Sequence, residues 1–365
     1  MKRRCKDRSY WVVALFLCVG LLLAHYPMFF SGFSLVQNDP GDSRFNNFVL
    51  EYSYQFLLAS PYAARFWDMP FFYPFANVTA FSDLLLGVAP PYWLFRFFGL
   101  SPLSSFQGWL LSLSFLNFFI SYLFLRRLFS FSKGAASFGA FLFAFGGPRL
   151  ARLAHQQMYA QFLPLLSLWG AIEMVRLALT DRMKEIRYWS VLVFLSLVLQ
   201  LYSGFYHGWF VAFLLALSLF CLLLTTEGRI RVSSILKGHG IFMSICLGAT
   251  SLLLYPLALH YLQTASMVGM RDISAVLTYL PKPLSWFYMG EDHVLYGWIA
   301  KYFPLHHESV QHEQVLFLGF GTSFVALYGL WTRRAYPLVR LIFALSLLVI
   351  LLLSTLPGLV HLLAW

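Results

Sequence analysis

Two short polar segments of an otherwise apolar chain carry residue types that could perform group transfer. In the first, Asp39 and Asp42 flank the turn-forming pair Pro40–Gly41. A carboxylate at such a point could act as a general base or a metal ligand. The alternatives are structural: Asp39 could serve the turn, and Asp42 could be the N-cap of a helix that begins near Arg44.

The second polar segment is the run Gly-Gly-Pro-Arg-Leu-Ala-Arg-Leu-Ala-His-Gln-Gln at residues 146–157. Arg149, Arg152 and His155 follow one another at a spacing of three, which would place them on one side of a helix. Because the arginine fork suits bidentate binding, the segment predicts a phosphate site. The alternative is that these arginines only extend to the lipid headgroups.

The rest of the sequence is that of a membrane protein. Of its 365 residues, 59% are hydrophobic and only 11% are charged, whereas a soluble domain carries about 25% charged residues. This composition excludes a soluble globular enzyme, a disordered protein and a disulfide-stapled secreted module. The net charge of +11 is typical of basic cytoplasmic loops, so we expect no nucleic-acid partner.

Apolar runs predict about nine membrane-spanning helices, each of about 20 residues. They lie near 11–30, 104–125, 134–147, 160–178, 188–204, 206–224, 240–262, 316–331 and 338–356. The predicted fold is an all-α polytopic membrane protein, with a basic cytoplasmic N-terminus over 1–10 and a single transmembrane domain over 11–365. With this orientation, two thirds of the 26 Lys and Arg residues fall inside and two thirds of the 15 acids fall outside. We therefore expect the chemistry of the chain to occur on the outer face of the membrane.

Two external loops, at about 31–103 and 263–315, are too long to be simple turns and are rich in aromatic residues. We predict interfacial helices within the first loop, one after Pro40–Gly41 and one at 83–98. The second loop contains ligand-type side chains that could hold a divalent cation such as Mg²⁺ or Mn²⁺: His306, His307, Glu308, His312 and Glu313. Their spacing matches no zinc signature, so the metal stays unassigned.

The chain order of these motifs resembles the GT-C superfamily of membrane glycosyltransferases, and most nearly its bacterial YfhO-like group. The first-loop positions that carry the resemblance are Asn38 to Asn46, Glu51, Phe66-Trp67, Pro70, Pro74, Ser82-Asp83 and Pro90. The later ones are Arg126 to Leu128, Phe143 to Phe145, Arg149, Arg152, His155-Gln156, Leu199-Gln200, Tyr202 to Gly204, Tyr206, Glu313, Leu316-Phe317 and Gly319.

The resemblance implies a GT-C-like domain that moves a sugar, with inversion, from a polyprenyl-phosphate donor to a lipid, glycan or polymer acceptor of the cell envelope. It implies that the catalytic base is Asp42, with Asp39 as second choice. For the donor phosphate we expect Arg149, Arg152, His155 and Arg271. For substrate contacts we expect Arg44, Asn46, Asp83, Gln156, Gln200 and Glu313.

Two other classes of function stay open at this point. One is a membrane transporter, or a lipid or polysaccharide flippase, without transferase activity. Transporters commonly carry inverted repeats, and the sequence has no internal repeat, which favours the transferase. The other is an assembly factor that keeps the fold without the reaction.

Overall fold

The computed structural model describes residues 4–36, 40–269, 272, 274, 278–307, 311–332 and 347. Every regular element among these residues is helical. The described residues form two compact units: the first comprises residues up to 145 together with 153–268, and the second comprises 146–152 together with residues from 269 onward. The single domain expected over 11–365 stays a prediction.

The α-helices are α1 (Arg4–Phe30), α2 (Pro40–Leu57), α3 (Pro90–Phe97), α4 (Pro102–Leu128), α5 (Lys133–Phe145), α6 (Gly147–Leu150), α7 (Phe162–Leu177), α8 (Glu185–Ser203), α9 (Phe205–Leu223), α10 (Thr226–Val268), α11 (Gly297–Ala300) and α12 (Phe320–Trp331). Single 3₁₀ turns lie between them at Pro61–Ala63, Val78–Phe81, Leu86–Val88, Gln156–Met158, Pro283–Phe287, Pro304–His307 and Gln311–Gln314.

Six of the described helical segments are long and apolar enough to cross a membrane. They are Tyr10–Phe30, Pro102–Leu128, Gln156–Leu177, Glu185–Ser203, Phe205–Leu223 and Thr226–Val268. Each coincides with an apolar run of the sequence, because about 20 apolar residues in helical form match the thickness of the hydrocarbon core. The chain is therefore a helical membrane protein.

Two further predicted spans form helices that are shorter than a membrane crossing. The run at 134–147 becomes α5, with 13 residues, and the run at 316–331 becomes α12, with 12 residues. At about 1.5 Å per residue such helices extend for about 20 Å, against about 30 Å of hydrocarbon. The run at 338–356 lies outside the described residues, apart from position 347, so nine spans stay a prediction.

The two helices predicted within the first long loop are present as α2 and α3, and their interfacial position stays a prediction. Helix α3 has only eight residues, and the pair Pro90–Pro91 begins it rather than breaks it, because proline is tolerated in the first turn of a helix. Arg96 of α3 binds Glu51 of α2 through Nε at 2.7 Å and Nη2 at 3.0 Å. Burial alone would raise the pKa of Glu51, but hydrogen bonds from Arg96, Gln55 and Tyr92 outweigh it and hold the pKa below its usual value.

The first loop is also attached to α10. Trp67 stacks on His260, with ring centroids 3.8 Å apart. Asn77, in the left-handed backbone conformation that asparagine tolerates, donates from Nδ2 to the His260 carbonyl at 2.7 Å and to Thr264 Oγ1 at 3.0 Å. The Asp68 carboxylate accepts the Asn77 N–H at 2.7 Å. The first loop is thus folded, and ring stacking and hydrogen bonds attach it to the C-terminal part of α10.

The described part of the second unit packs around a small aromatic core of Tyr288, Met289, Ala300, Leu305, Val315 and Phe317. Gln314 is fully buried beside it, and its Oε1 accepts hydrogen bonds from Ser285 Oγ at 2.5 Å and from the Lys282 N–H at 3.2 Å. These bonds fix the segment before α12 against the turn at Pro283–Phe287.

Candidate functional site

Helix α2 brings Asp42 to the polar end of the first unit. The helix begins at Pro40, so Asp42 lies within its first turn. The alternative that Asp42 is the N-cap of a later helix is therefore wrong. A carboxylate in the first turn is stabilised by the helix dipole. Helix α2 packs against α3, α4 and the turn at Gln156–Met158.

Asp42 and His155 form a carboxylate–imidazole pair. Oδ2 of Asp42 lies 3.1 Å from Nδ1 of His155, and the two side chains are 45% and 25% exposed. An ionised carboxylate can only accept, so Nδ1 carries the proton in this contact. Within the described residues, the second carboxylate oxygen makes no hydrogen bond, so it can accept one from a neighbouring hydroxyl group.

Asn46 and Gln156 form hydrogen bonds that join the two segments carrying Asp42 and His155. Asn46 Nδ2 donates to Gln156 Oε1 at 2.5 Å, and Gln156 Nε2 donates to Ser43 Oγ at 2.9 Å and to the Leu153 carbonyl at 2.8 Å. Both amides are buried, with exposures of 4% and 0%. Asn46 Nδ2 and both polar ends of the Gln156 amide are therefore bonded to the protein itself, and the substrate contacts expected for the two residues stay predictions.

A second network of buried polar side chains joins α1, α4 and Tyr159, and sequence reasoning largely missed it. Ser114 Oγ of α4 lies 2.7 Å from His25 Nε2 and 2.9 Å from the Tyr159 hydroxyl. Asn117 donates to the Tyr159 carbonyl at 2.7 Å and accepts the Phe162 N–H at 2.9 Å. Helix α1 has non-helical dihedrals at His25, two residues before Pro27. An asparagine inside an apolar helix was the available signal, because such residues usually face a polar interior.

Asp83 serves as a helix cap. Its Oδ1 accepts the N–H of Phe205, the first residue of α9, at 2.7 Å. Burial raises the pKa of Asp83, and the hydrogen bond from Phe205 only partly offsets this. The side chain therefore orders the turn between α8 and α9, and the substrate contact expected for Asp83 stays a prediction.

We expect Asp83→Asn to keep both the cap and the activity, because the amide oxygen can accept the same N–H. A carboxyl with a raised pKa binds its proton more tightly when folded, so the wild type loses stability as pH rises from the usual 3.8 through the raised pKa. Thermal unfolding at about pH 4 and about pH 7 tests this expectation. The unfolding temperature of the variant, relative to that of the wild type, should be higher at about pH 7 than at about pH 4. Asp83→Leu, which removes the cap, should unfold at a lower temperature at both values. Loss of activity in Asp83→Asn with unchanged unfolding would instead favour a substrate contact.

Gln200 lies fully buried at the end of α8. Its Nε2 donates to the Gly204 carbonyl at 3.4 Å, and its Oε1 has no hydrogen-bond partner among the described residues. A buried acceptor without a partner is costly. Among the substrate residues expected in the first unit, only Gln200 has a buried polar atom without a hydrogen-bond partner in the described structure. Arg44 is exposed on α2.

The expected phosphate ligands divide between the units. Arg149 and Arg152 belong to the second unit, and His155 belongs to the first. Helix α6 ends at Leu150, so the helix predicted to carry all three on one side is absent. Within the second unit, the Arg152 guanidinium forms an ion pair with the Glu313 carboxylate and donates to the Glu313 carbonyl at 2.6 Å.

Several of the predicted site residues are not described by the structure. Asp39 and Arg271 are not among the described residues, and neither is Glu308; the side chains of His306 and His307 are likewise not described. His312 Nε2 lies 3.9 Å from Glu313 Oε1 within the second unit. The Mg²⁺ or Mn²⁺ site and the phosphate roles of Arg149, Arg152, His155 and Arg271 therefore stay predictions.

The site of the first unit thus consists of a partly exposed acid–imidazole pair over two layers of buried polar side chains. Its members come from α1, α2, α4 and the segment 153–160, which are far apart in the sequence. Comparisons with models of protein families, with curated proteins and with solved structures found no match to this chain.

Proposed function

We propose that this protein is a membrane glycosyltransferase that moves a sugar from a polyprenyl-phosphate donor to a cell-envelope acceptor. The observation that carries the proposal is the contact of 3.1 Å between Asp42 Oδ2 and His155 Nδ1 at a partly exposed position. General bases need a proton acceptor that the substrate can reach and a neighbour that fixes its orientation. The pair has both properties.

In the proposed reaction, the acceptor hydroxyl oxygen attacks the anomeric carbon of the donor sugar. The bond between that carbon and the phosphate oxygen breaks, and polyprenyl phosphate leaves with the bonding electrons. Asp42 takes the proton of the acceptor hydroxyl on its free carboxylate oxygen, while the N–H of His155 holds the other oxygen. The Oε1 of Gln200 is buried in the described structure, so the substrate contact expected for Gln200 stays a prediction.

The proposed location follows from the distribution of charge. Basic residues cluster at the N-terminus, as in cytoplasmic segments. This orientation places the first external loop, and Asp42 with it, on the outer face of the cytoplasmic membrane. Membrane lipids, the lipid-linked donor and an envelope acceptor are the proposed partners.

Transport is the second candidate, and one observation favours it. The contacts among His25, Ser114 and Tyr159 place polar atoms between membrane-spanning helices, next to a break in α1. Broken helices and buried polar groups are also features of transporter sites. A transporter would move a lipid-linked sugar across the membrane and leave its phosphate ester intact.

The two candidates separate in proteoliposomes that contain the purified protein. The probes are undecaprenyl phosphates that carry radiolabelled glucose, galactose, mannose or N-acetylglucosamine, with an envelope extract as acceptor, with and without Mg²⁺ or Mn²⁺. A transferase releases one free undecaprenyl phosphate for each labelled sugar that enters the acceptor fraction. Movement of the intact donor between leaflets without release would support transport and contradict the transferase.

A further inference from the structure

The first turns of α10 differ in character from the rest of the helix. Residues 229–239 contain two arginines, a lysine, two serines and a histidine, whereas residues 241–259 are almost entirely apolar. The helix is 43 residues long, about twice what a membrane crossing needs. The change in composition therefore places a membrane boundary near Gly240.

A cleft lies on the polar part of this helix. Its volume is about 720 Å³, and it is lined by Met183, Arg229, Ile230, Ser233, Ser234, Lys237 and Gly238. Arg229, Ser233 and Lys237 follow one another at a spacing of four and are all exposed. They place a guanidinium, a hydroxyl and an ammonium group on successive turns of one helix.

The two cations of the cleft differ from neighbouring arginines in having no acidic partner. Arg176, Arg182 and Arg231 are paired with Glu173, Glu185 and Glu227, at 3.0, 2.6 and 2.8 Å. Within the described residues, neither Arg229 nor Lys237 has a carboxylate within 4.0 Å. Among the described residues, no carboxylate therefore neutralises the positive charge at this point of the surface.

The cleft continues into an apolar, exposed surface. Ile241 and Ile245 follow Lys237 at the same spacing of four, and their side chains are 84% and 63% exposed. A ligand bound along this surface would contact charged side chains at one end and apolar side chains at the other. An anionic phospholipid has that order of groups, whereas a soluble phosphate compound lacks the apolar part.

We infer that this cleft binds the phosphate of an anionic phospholipid, with an acyl chain along Ile241 and Ile245. Arg229 would bind two phosphate oxygens through its fork, and Lys237 would contribute a point charge. The hydroxyl of Ser233 can donate a further hydrogen bond. The site is independent of the proposed transferase activity, because it contains none of the residues assigned to that reaction.

Native mass spectrometry of the protein released from nanodiscs tests the inference. Nanodiscs of phosphatidylglycerol and phosphatidylcholine in equal amounts supply the two lipids. We expect the wild type to retain one phosphatidylglycerol and to retain phosphatidylcholine about thirtyfold less, since each of the two juxtamembrane cations favours anionic lipid by about fivefold. The double variant Arg229→Gln/Lys237→Gln should lose this preference. The double variant Arg127→Gln/Lys184→Gln, which removes two exposed charges outside the cleft, should keep it.

Three results would overturn the inference. Equal retention of the two lipids by the wild type is the first, and an equal loss in both double variants is the second. Displacement of the bound lipid by millimolar glycerol phosphate would be the third, because it would identify the ligand as a soluble phosphate compound. Thermal unfolding of both variants establishes that they are folded, and the exposure of all four side chains predicts little change.

Discussion

Asp42→Asn should lower kcat for sugar transfer by about 10²- to 10⁴-fold, which is the usual contribution of a general base. The asparagine oxygen can still accept from His155 Nδ1, so the local structure should survive. What is lost is a group able to take the acceptor proton. The KM for the lipid-linked donor should change little, because the donor's phosphate and lipid are not bound by the base. Release of undecaprenyl phosphate in proteoliposomes measures both constants.

Asp181→Asn is the matched control for this variant. Asp181 is an exposed aspartate in the connection between α7 and α8, so the same chemical change there should leave transfer at the wild-type rate. If Asp42→Asn also transfers at that rate and unfolds at the wild-type temperature, Asp42 is not the base. Another residue would then have to accept the proton, and Asp39 would be the next residue to replace.

Gln156→Leu should have the largest effect on stability among the residues of the site. The leucine fits the volume of the amide but leaves Asn46 Nδ2 without its bond of 2.5 Å and Ser43 Oγ without its bond of 2.9 Å. Each buried polar group left unsatisfied costs about 1–3 kcal/mol, so we expect a loss of about 3 kcal/mol in the free energy of unfolding. Denaturant titration in detergent measures it.

The same variant should also lower kcat, because Gln156 directly follows His155 and fixes its segment. Small displacements of a catalytic group commonly reduce rates by about tenfold or more. The KM for the donor should stay near the wild-type value. Gln263→Leu, at an exposed position of α10, is the control and should change neither quantity. Normal stability in Gln156→Leu together with a raised KM would show instead that Gln156 contacts substrate.

The helices were largely predictable from the sequence, because hydropathy and helical length are local properties. Helices α4, α8 and α9 begin and end within about three residues of the predicted runs. The length of α10 was not predictable from hydropathy, since its first turns are polar. The start of α2 at Pro40 was missed because Pro40–Gly41 was interpreted as a turn, although proline also suits the first turn of a helix.

The site was predictable only in part. Asp42 and His155 stood out by residue type, and Asn46 and Gln156 through the family resemblance, but their pairing joins segments more than a hundred positions apart. No local pattern encodes such a contact. The resemblance alone led us to expect substrate contacts for Asn46 and Gln156, and their hydrogen bond to each other could not be foreseen. The burial of a polar group and its partner are both properties of the packed chain, so sequence reasoning could not distinguish the two roles.

The central claim is that Asp42, held by His155, takes the acceptor proton as the sugar leaves its lipid phosphate. The most direct test is a single-turnover reaction of enzyme in excess over radiolabelled undecaprenyl-phosphate sugar, followed in wild type and in Asp42→Asn. We predict that the wild type releases one undecaprenyl phosphate for each sugar transferred, and that the variant binds the donor equally well but releases almost none. Equal release by the two proteins, or no release by the wild type with any of the four donors, would contradict the claim.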